Sequence, residues 1–83
     1  MAKIILYTQT YCPVCDDVRR YMKEKNIEFT EIDILKPGNQ VHFDEIVERE
    51  FEFIPVTSVN DFEESWVGFQ HHRLIKYSQE EDN

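Results

Sequence analysis

Residues 3–18 read Lys3-Ile4-Ile5-Leu6-Tyr7-Thr8-Gln9-Thr10-Tyr11-Cys12-Pro13-Val14-Cys15-Asp16-Asp17-Val18. The stretch opens with β-branched and aromatic residues that are apolar on successive positions, the pattern of a strand covered on both faces. It closes on Cys-Pro-Val-Cys, after which Val14, Val18, Tyr21 and Met22 recur at helical spacing, with Asp16, Asp17, Arg19, Arg20 and Lys23 between them. Proline at the first turn of a helix leaves no hydrogen bond unmade. The stretch therefore predicts a strand over 3–8, a cysteine pair at the junction, and a helix from Pro13 to about Lys25.

The rest of the chain continues the alternation. Residues 28–34 alternate polar and apolar and read as a second strand. Lys36-Pro37-Gly38-Asn39 is a turn by composition, with Asn39 placed to cap a second helix whose apolar stripe is Val41, Ile46, Val47 and Phe51. Pro55–Val59 reads as strand three, Asn60-Asp61 as a hairpin turn, and Phe62–Val67 as strand four, ended by Gly68. His71–Tyr77 reads as a short helix with Leu74 and Ile75 inward. Residues 78–83 are polar and acidic and are expected to fray. The order β-α-β-α-β-β-α implies a right-handed parallel β-α-β crossover, then an antiparallel hairpin. Together they give an α/β fold with a mixed four-stranded sheet flanked by helices.

With 83 residues the chain is one domain at most, burying roughly 60% of its unfolded surface. Nine Lys and Arg against 17 Asp and Glu leave a net charge of −8. That balance argues against nucleic acid, whose phosphates need clustered cations, and against an anionic membrane surface. No apolar run approaches the roughly 18 residues of a membrane span or the apolar core of a signal peptide, so the expected compartment is the cytoplasm.

Two cysteines three positions apart close too short a loop to restrain the unfolded chain, so the pair points to chemistry or metal binding. At a helix start, the free N–H groups and the positive end of the helix dipole favour a thiolate on Cys12. A thiol with a pKa of about 8.5 is only a few per cent ionised at pH 7, and a fall of about 2 units would make the thiolate the main form. Asp16 and Asp17 oppose that fall. Cys15, one turn in, is placed to attack a mixed disulfide formed by Cys12. The metal alternative needs further ligands. His42, His71 and His72 are the candidates, and the adjacent pair does not match usual zinc spacing.

The sequence resembles the glutaredoxin family. Tyr11-Cys12-Pro13-Val14-Cys15 is similar to the dithiol active site, and Ile54-Pro55-Val56 to the family's proline segment. Ser65-Trp66-Val67-Gly68-Phe69 is similar to the glutaredoxin-like NrdH redoxins, electron donors to ribonucleotide reductase. The resemblance spans about residues 3–77 and implies a thioredoxin-like fold with no bound cofactor beyond a redox-active Cys12–Cys15 disulfide. It implies that Cys12 and Cys15 are catalytic. It further implies that Tyr11, Pro13, Ile54, Pro55, Val56, Trp66 and Gly68 contact substrate or partner. Read from the residues alone, Pro55 caps a strand; the resemblance instead implies a cis peptide bond beside the cysteines.

The partners implied are protein disulfides and a reductant, with the chain acting as a monomer. The reductant is either a thioredoxin-reductase-type flavoprotein or glutathione, the latter making the protein a deglutathionylating enzyme. Glutathione-linked relatives carry a cation before the active site and a Gly-Gly turn followed by an acidic pair. Here those stretches read Thr8-Gln9-Thr10 and Val67-Gly68-Phe69-Gln70-His71. Pro13 points the other way, toward glutathione. An iron–sulfur carrier using the same cysteines between two chains is the remaining alternative.

Overall fold

The computed structural model describes residues 2–78. These form β1 (Ile4–Thr8), α1 (Pro13–Glu24), β2 (Thr30–Asp33), α2 (Gln40–Glu48), β3 (Val56–Val59), β4 (Glu64–Val67) and α3 (His71–Leu74), followed by a 3-10 turn at Ile75–Tyr77. The sheet order is β2-β1-β3-β4. β1 pairs in parallel with β2, and β3 is antiparallel to both β1 and β4. This is the mixed four-stranded sheet that the element order predicts.

β1 is apolar from Ile4 to Tyr7 because both sheet faces are covered. Ile4 and Leu6 join Val18, Met22, Val59, Trp66 and Leu74 under α1 and α3. On the opposite face Tyr7 joins Ile34, Ile46 and Val56 beneath α2. Leu6, Val18, Met22 and Leu74 are wholly buried, and truncating Leu6, Met22 or Leu74 to alanine would cost about 2–5 kcal/mol.

Several expectations need correction. β2 begins at Thr30 and β4 at Glu64, each two residues later than the alternation suggests. Phe62 lies in the turn, where Asn60, Asp61 and Phe62 all take left-handed backbone (φ 52°, 57° and 68°). Phe62 packs there against the Tyr7 ring, and Arg49 lies 3.8 Å over its face. Val41 and Val47 do not form the inner stripe of α2; both are more than half exposed, and Phe43 and Ile46 face the sheet instead. Ile75 points out where the chain tightens from α3 into the 3-10 turn. Asn39 precedes α2, yet its side chain makes no cap; its Nδ2 donates to the Asp33 carbonyl at 2.8 Å. Of the tail expected to fray, Ser78 is tied down, its Oγ donating to the Lys25 carbonyl at 2.7 Å. Residues 79–83 lie outside the described residues.

The register sets one end of the sheet as the place for a site. Tyr7 lies opposite Val56, and Val56 opposite Val67. The exit of β1 toward Cys12, the entry of β3 from Ile54-Pro55, and the exit of β4 into Gly68 therefore sit side by side.

Candidate active site at the start of the first helix

Cys12 is the N-cap of α1, with extended backbone (φ −123°, ψ 95°), and Pro13 takes the first helical position. The Cys15 N–H donates to Cys12 Sγ at 3.1 Å. The two cysteines are joined in a disulfide with their Cα atoms 5.2 Å apart, within the ordinary span for such a bond. Their exposures differ: Cys15 is fully buried against the sheet and Cys12 is partly open. Of the two sulfurs, that of Cys12 is the one open to solvent. The free N–H groups of the first helical turn stabilise negative charge on its sulfur.

The two acids following the pair are both engaged. Asp16 Oδ1 pairs with Arg19 at 2.5 Å, and Asp17 Oδ1 with Arg20 at 2.7 Å. Each carboxylate thus has a cation one turn further on, which offsets part of its repulsion toward a Cys12 thiolate. Arg19 also grips Glu31 on β2, fixing α1 against the sheet behind the cysteines.

The residues singled out from the sequence divide into two groups. Tyr11, Pro13 and Val14 are exposed around Cys12, and Tyr11 (96% exposed) holds left-handed backbone at φ 60°. Val14 therefore does not belong to the inner stripe of α1. Ile54 is half-buried and Pro55 buried at the same sheet end, and the Ile54–Pro55 peptide is cis. The Pro55 carbonyl accepts from the Gly68 N–H at 2.8 Å. Gly68 has φ +83°, a conformation that favours glycine. Val56 is buried in the central strand between Tyr7 and Val67. The expectation of Trp66 as a docking contact is corrected. Trp66 is 4% exposed, because the alternation of β4 turns it into the core beneath α1 and α3.

Sequence reasoning missed a groove of about 200 Å³ beside Ile54. Gln9, Phe43, Val47, Phe51 and Phe53 contribute to its walls. The one signal for it is Phe51-Glu52-Phe53-Ile54, an apolar-rich run just ahead of Pro55 with no strand to account for it. The candidate histidine ligands are dispersed: His42 packs near Tyr7 and His71 near Tyr21. Among the described residues, no three His, Cys, Asp or Glu side chains are grouped to hold a metal ion. No helix there is long and apolar enough to cross a membrane.

Comparison with solved structures places the fold among thioredoxin-like proteins. The NrdH-redoxin of Escherichia coli, a glutaredoxin-like protein described as having a thioredoxin-like activity profile, superposes with a TM-score of 0.81 at 20% identity. The match covers 95% of this chain and 99% of that one. A glutaredoxin of Archaeoglobus fulgidus follows at TM-score 0.70 and 22% identity over 93% and 86% of the two chains. One from Methanosarcina mazei gives 0.73 and 23% over 89% and 75%. No curated protein sequence matches the chain. The glutaredoxin family model matches residues 4–62, which include the whole Cys12–Cys15 unit and Pro55. Fold, redox-active cysteine pair and family model agree, and the chain belongs to the glutaredoxin family, whose chemistry is thiol–disulfide exchange.

Proposed function

We propose that the protein reduces protein disulfides in the cytoplasm, as a monomer, with Cys12 as nucleophile and Cys15 as resolving thiol. The observation that carries this reading is the asymmetry of the pair: a partly open sulfur at the helix N-cap and a fully buried one a turn behind it. The Cys12 thiolate attacks one substrate sulfur and expels the other as a thiolate, which takes a proton from water. Cys15 then loses its proton and attacks Cys12 Sγ, closing the internal disulfide and releasing the second substrate sulfur as a thiolate that is protonated in turn. One disulfide forms, one is broken, and two electrons pass to the substrate. In this reading the substrate contacts Tyr11 and Pro13 beside Cys12, and Ile54, Pro55 and Gly68 at the same end of the sheet.

For the reductant we favour a thioredoxin-reductase-type flavoprotein drawing on NADPH. Gln9 stands where a cation would hold the glycyl carboxylate of glutathione, and Phe69-Gln70 follows Gly68 where acids would meet its ammonium group. Each missing charge-assisted hydrogen bond weakens glutathione binding by about 1.5–3 kcal/mol, roughly tenfold or more in affinity. The thioredoxin-like activity profile of the E. coli NrdH-redoxin supports the same choice. The resemblance of Ser65–Phe69 to the NrdH redoxins makes ribonucleotide reductase a candidate acceptor. Pro13 supports the second reading, a glutathione-dependent glutaredoxin. NADPH consumption with a disulfide substrate tests the two, using thioredoxin reductase in one assay and glutathione with its reductase in the other. Turnover chiefly with thioredoxin reductase is expected. Brisk turnover only with glutathione would overturn the choice. Gel filtration of anaerobically purified protein should give a colourless monomer; a coloured dimer would assign the cysteines to a cluster.

A further inference from the structure

The groove between α2 and the segment leading to Pro55 plays no part in the exchange step itself. Its walls are largely apolar: Phe43 and Phe51 are part of the core packing, while Val47 and Phe53, 56% and 70% exposed, stand at its rim. An apolar cavity of about 150 Å³ holds a benzene ring, so about 200 Å³ accommodates one large apolar side chain. The groove is continuous with the active-site end of the sheet. Gln9 lies in the loop that carries β1 into Cys12, and Ile54 is the residue before Pro55.

The surrounding charge is one-sided. Asp44, Glu45, Glu48, Glu50 and Glu52 lie on α2 and the segment after it, against Arg49 alone among Lys and Arg. Arg49 is itself occupied, its guanidinium paired with Glu45 at 3.3 Å and stacked on Phe62. An anionic ligand is repelled here, and a cationic chain is drawn in.

We propose that this groove selects the substrate by seating a large apolar side chain from an extended, positively charged segment flanking the target disulfide. The inference deepens the exchange reading above and rests on it. In an extended segment alternate side chains face the same way. With the substrate cysteine at Cys12, an apolar residue two positions away points to the groove side. A lysine or arginine two positions further along shares that side and faces the acids of α2 and Glu52.

The test uses the reduced full-length protein and three synthetic peptides, each with one internal disulfide. The first has lysine flanks and a phenylalanine two residues from a cysteine, the second has serine in place of that phenylalanine, and the third has glutamate flanks with the phenylalanine kept. Rate constants are read by chromatography of acid-quenched samples. The lysine–phenylalanine peptide should react at least about tenfold faster than the serine one, since it buries a large apolar side chain that the serine peptide lacks. In Val47→Asp, whose side chain is already solvent-facing, that ratio should fall toward one. The advantage of lysine over glutamate flanks should shrink as salt rises. Equal rates for phenylalanine and serine peptides, or glutamate flanks reacting as fast as lysine, would overturn the proposal while leaving the exchange reading intact. Reduction of none of the peptides would remove both.

Discussion

Arg19 holds Glu31 with two parallel hydrogen bonds, Nε to Oε1 at 2.7 Å and Nη2 to Oε2 at 2.6 Å, tying the helix that carries the cysteines to the outer strand β2. The buried Thr8 hydroxyl donates to the same carboxylate at 3.1 Å. The Arg19 guanidinium, with help from Thr8, holds the Glu31 carboxyl below the usual carboxylate range, against the opposing effect of burial. A carboxyl whose folded-state pKa is depressed adds stability above its unfolded pKa of about 4.3 and loses it as pH falls through the folded value. Both side chains remain about 30% exposed, so solvent screens part of the gain. Glu31→Gln should therefore cost about 1–2 kcal/mol at pH 7. Urea unfolding at pH 7 and pH 3 checks this: the difference between variant and wild type should shrink at pH 3. A gap independent of pH would contradict it.

Tyr77 gives the opposite sign. Its hydroxyl donates to Glu64 Oε1 at 2.5 Å, and burial followed by that bond pushes its pKa up to about 12. A raised pKa means stability present below the unfolded value of about 10 and lost as pH rises from there through the folded value. Spectrophotometric titration of wild type should contain a late tyrosine component that is missing in Tyr77→Phe. Between pH 10 and 12 wild type should lose more stability than the variant does. An unchanged titration curve would contradict the pairing.

Asn60 closes the hairpin onto the chain start. Its N–H donates to the Lys3 carbonyl at 2.8 Å, and its Oδ1 accepts from the Lys3 N–H at 2.9 Å. At φ 52° asparagine is tolerated where alanine is penalised. Asn60→Ala should lose about 1–2 kcal/mol, combining the side-chain bond with the backbone penalty. Asn60→Gly, which keeps the backbone free, should lose less. Equal losses in urea unfolding would contradict the backbone part of this account.

Local patterns in the sequence carry the element order: successive apolar residues in β1, Pro13 at a helix start, Asn60-Asp61 between two strands. The active pair is legible because its chemistry depends on spacing within one turn. What stays hidden depends on tertiary covering. Val41 and Val47 share a helical period with Ile46, yet the sheet meets the Phe43–Ile46 side of α2. Trp66 on an edge strand suits either packing or a docking contact, and it is α3 covering it that decides for the core. The groove joins Gln9 to Phe43 and Phe53, residues that only the folded chain brings together.

The roles of the cysteines separate in single variants. Cys12→Ser should abolish disulfide reduction, because the nucleophile is gone. Cys15→Ser should accumulate a mixed disulfide between Cys12 and a protein substrate, visible by mass spectrometry and reversed by added thiol. A trapped adduct on Cys15 in Cys12→Ser, with none in Cys15→Ser, would reverse the assignment.

The most direct measurement is the order of alkylation in the fully reduced wild-type protein. Iodoacetamide is applied at pH 6 for short times, the reaction is quenched, and the modified cysteines are assigned by peptide mapping. With Cys12 at the helix N-cap and Cys15 wholly buried, carbamidomethylation should fall on Cys12 well before Cys15. Preferential modification of Cys15 would contradict the claim that Cys12 is the attacking sulfur.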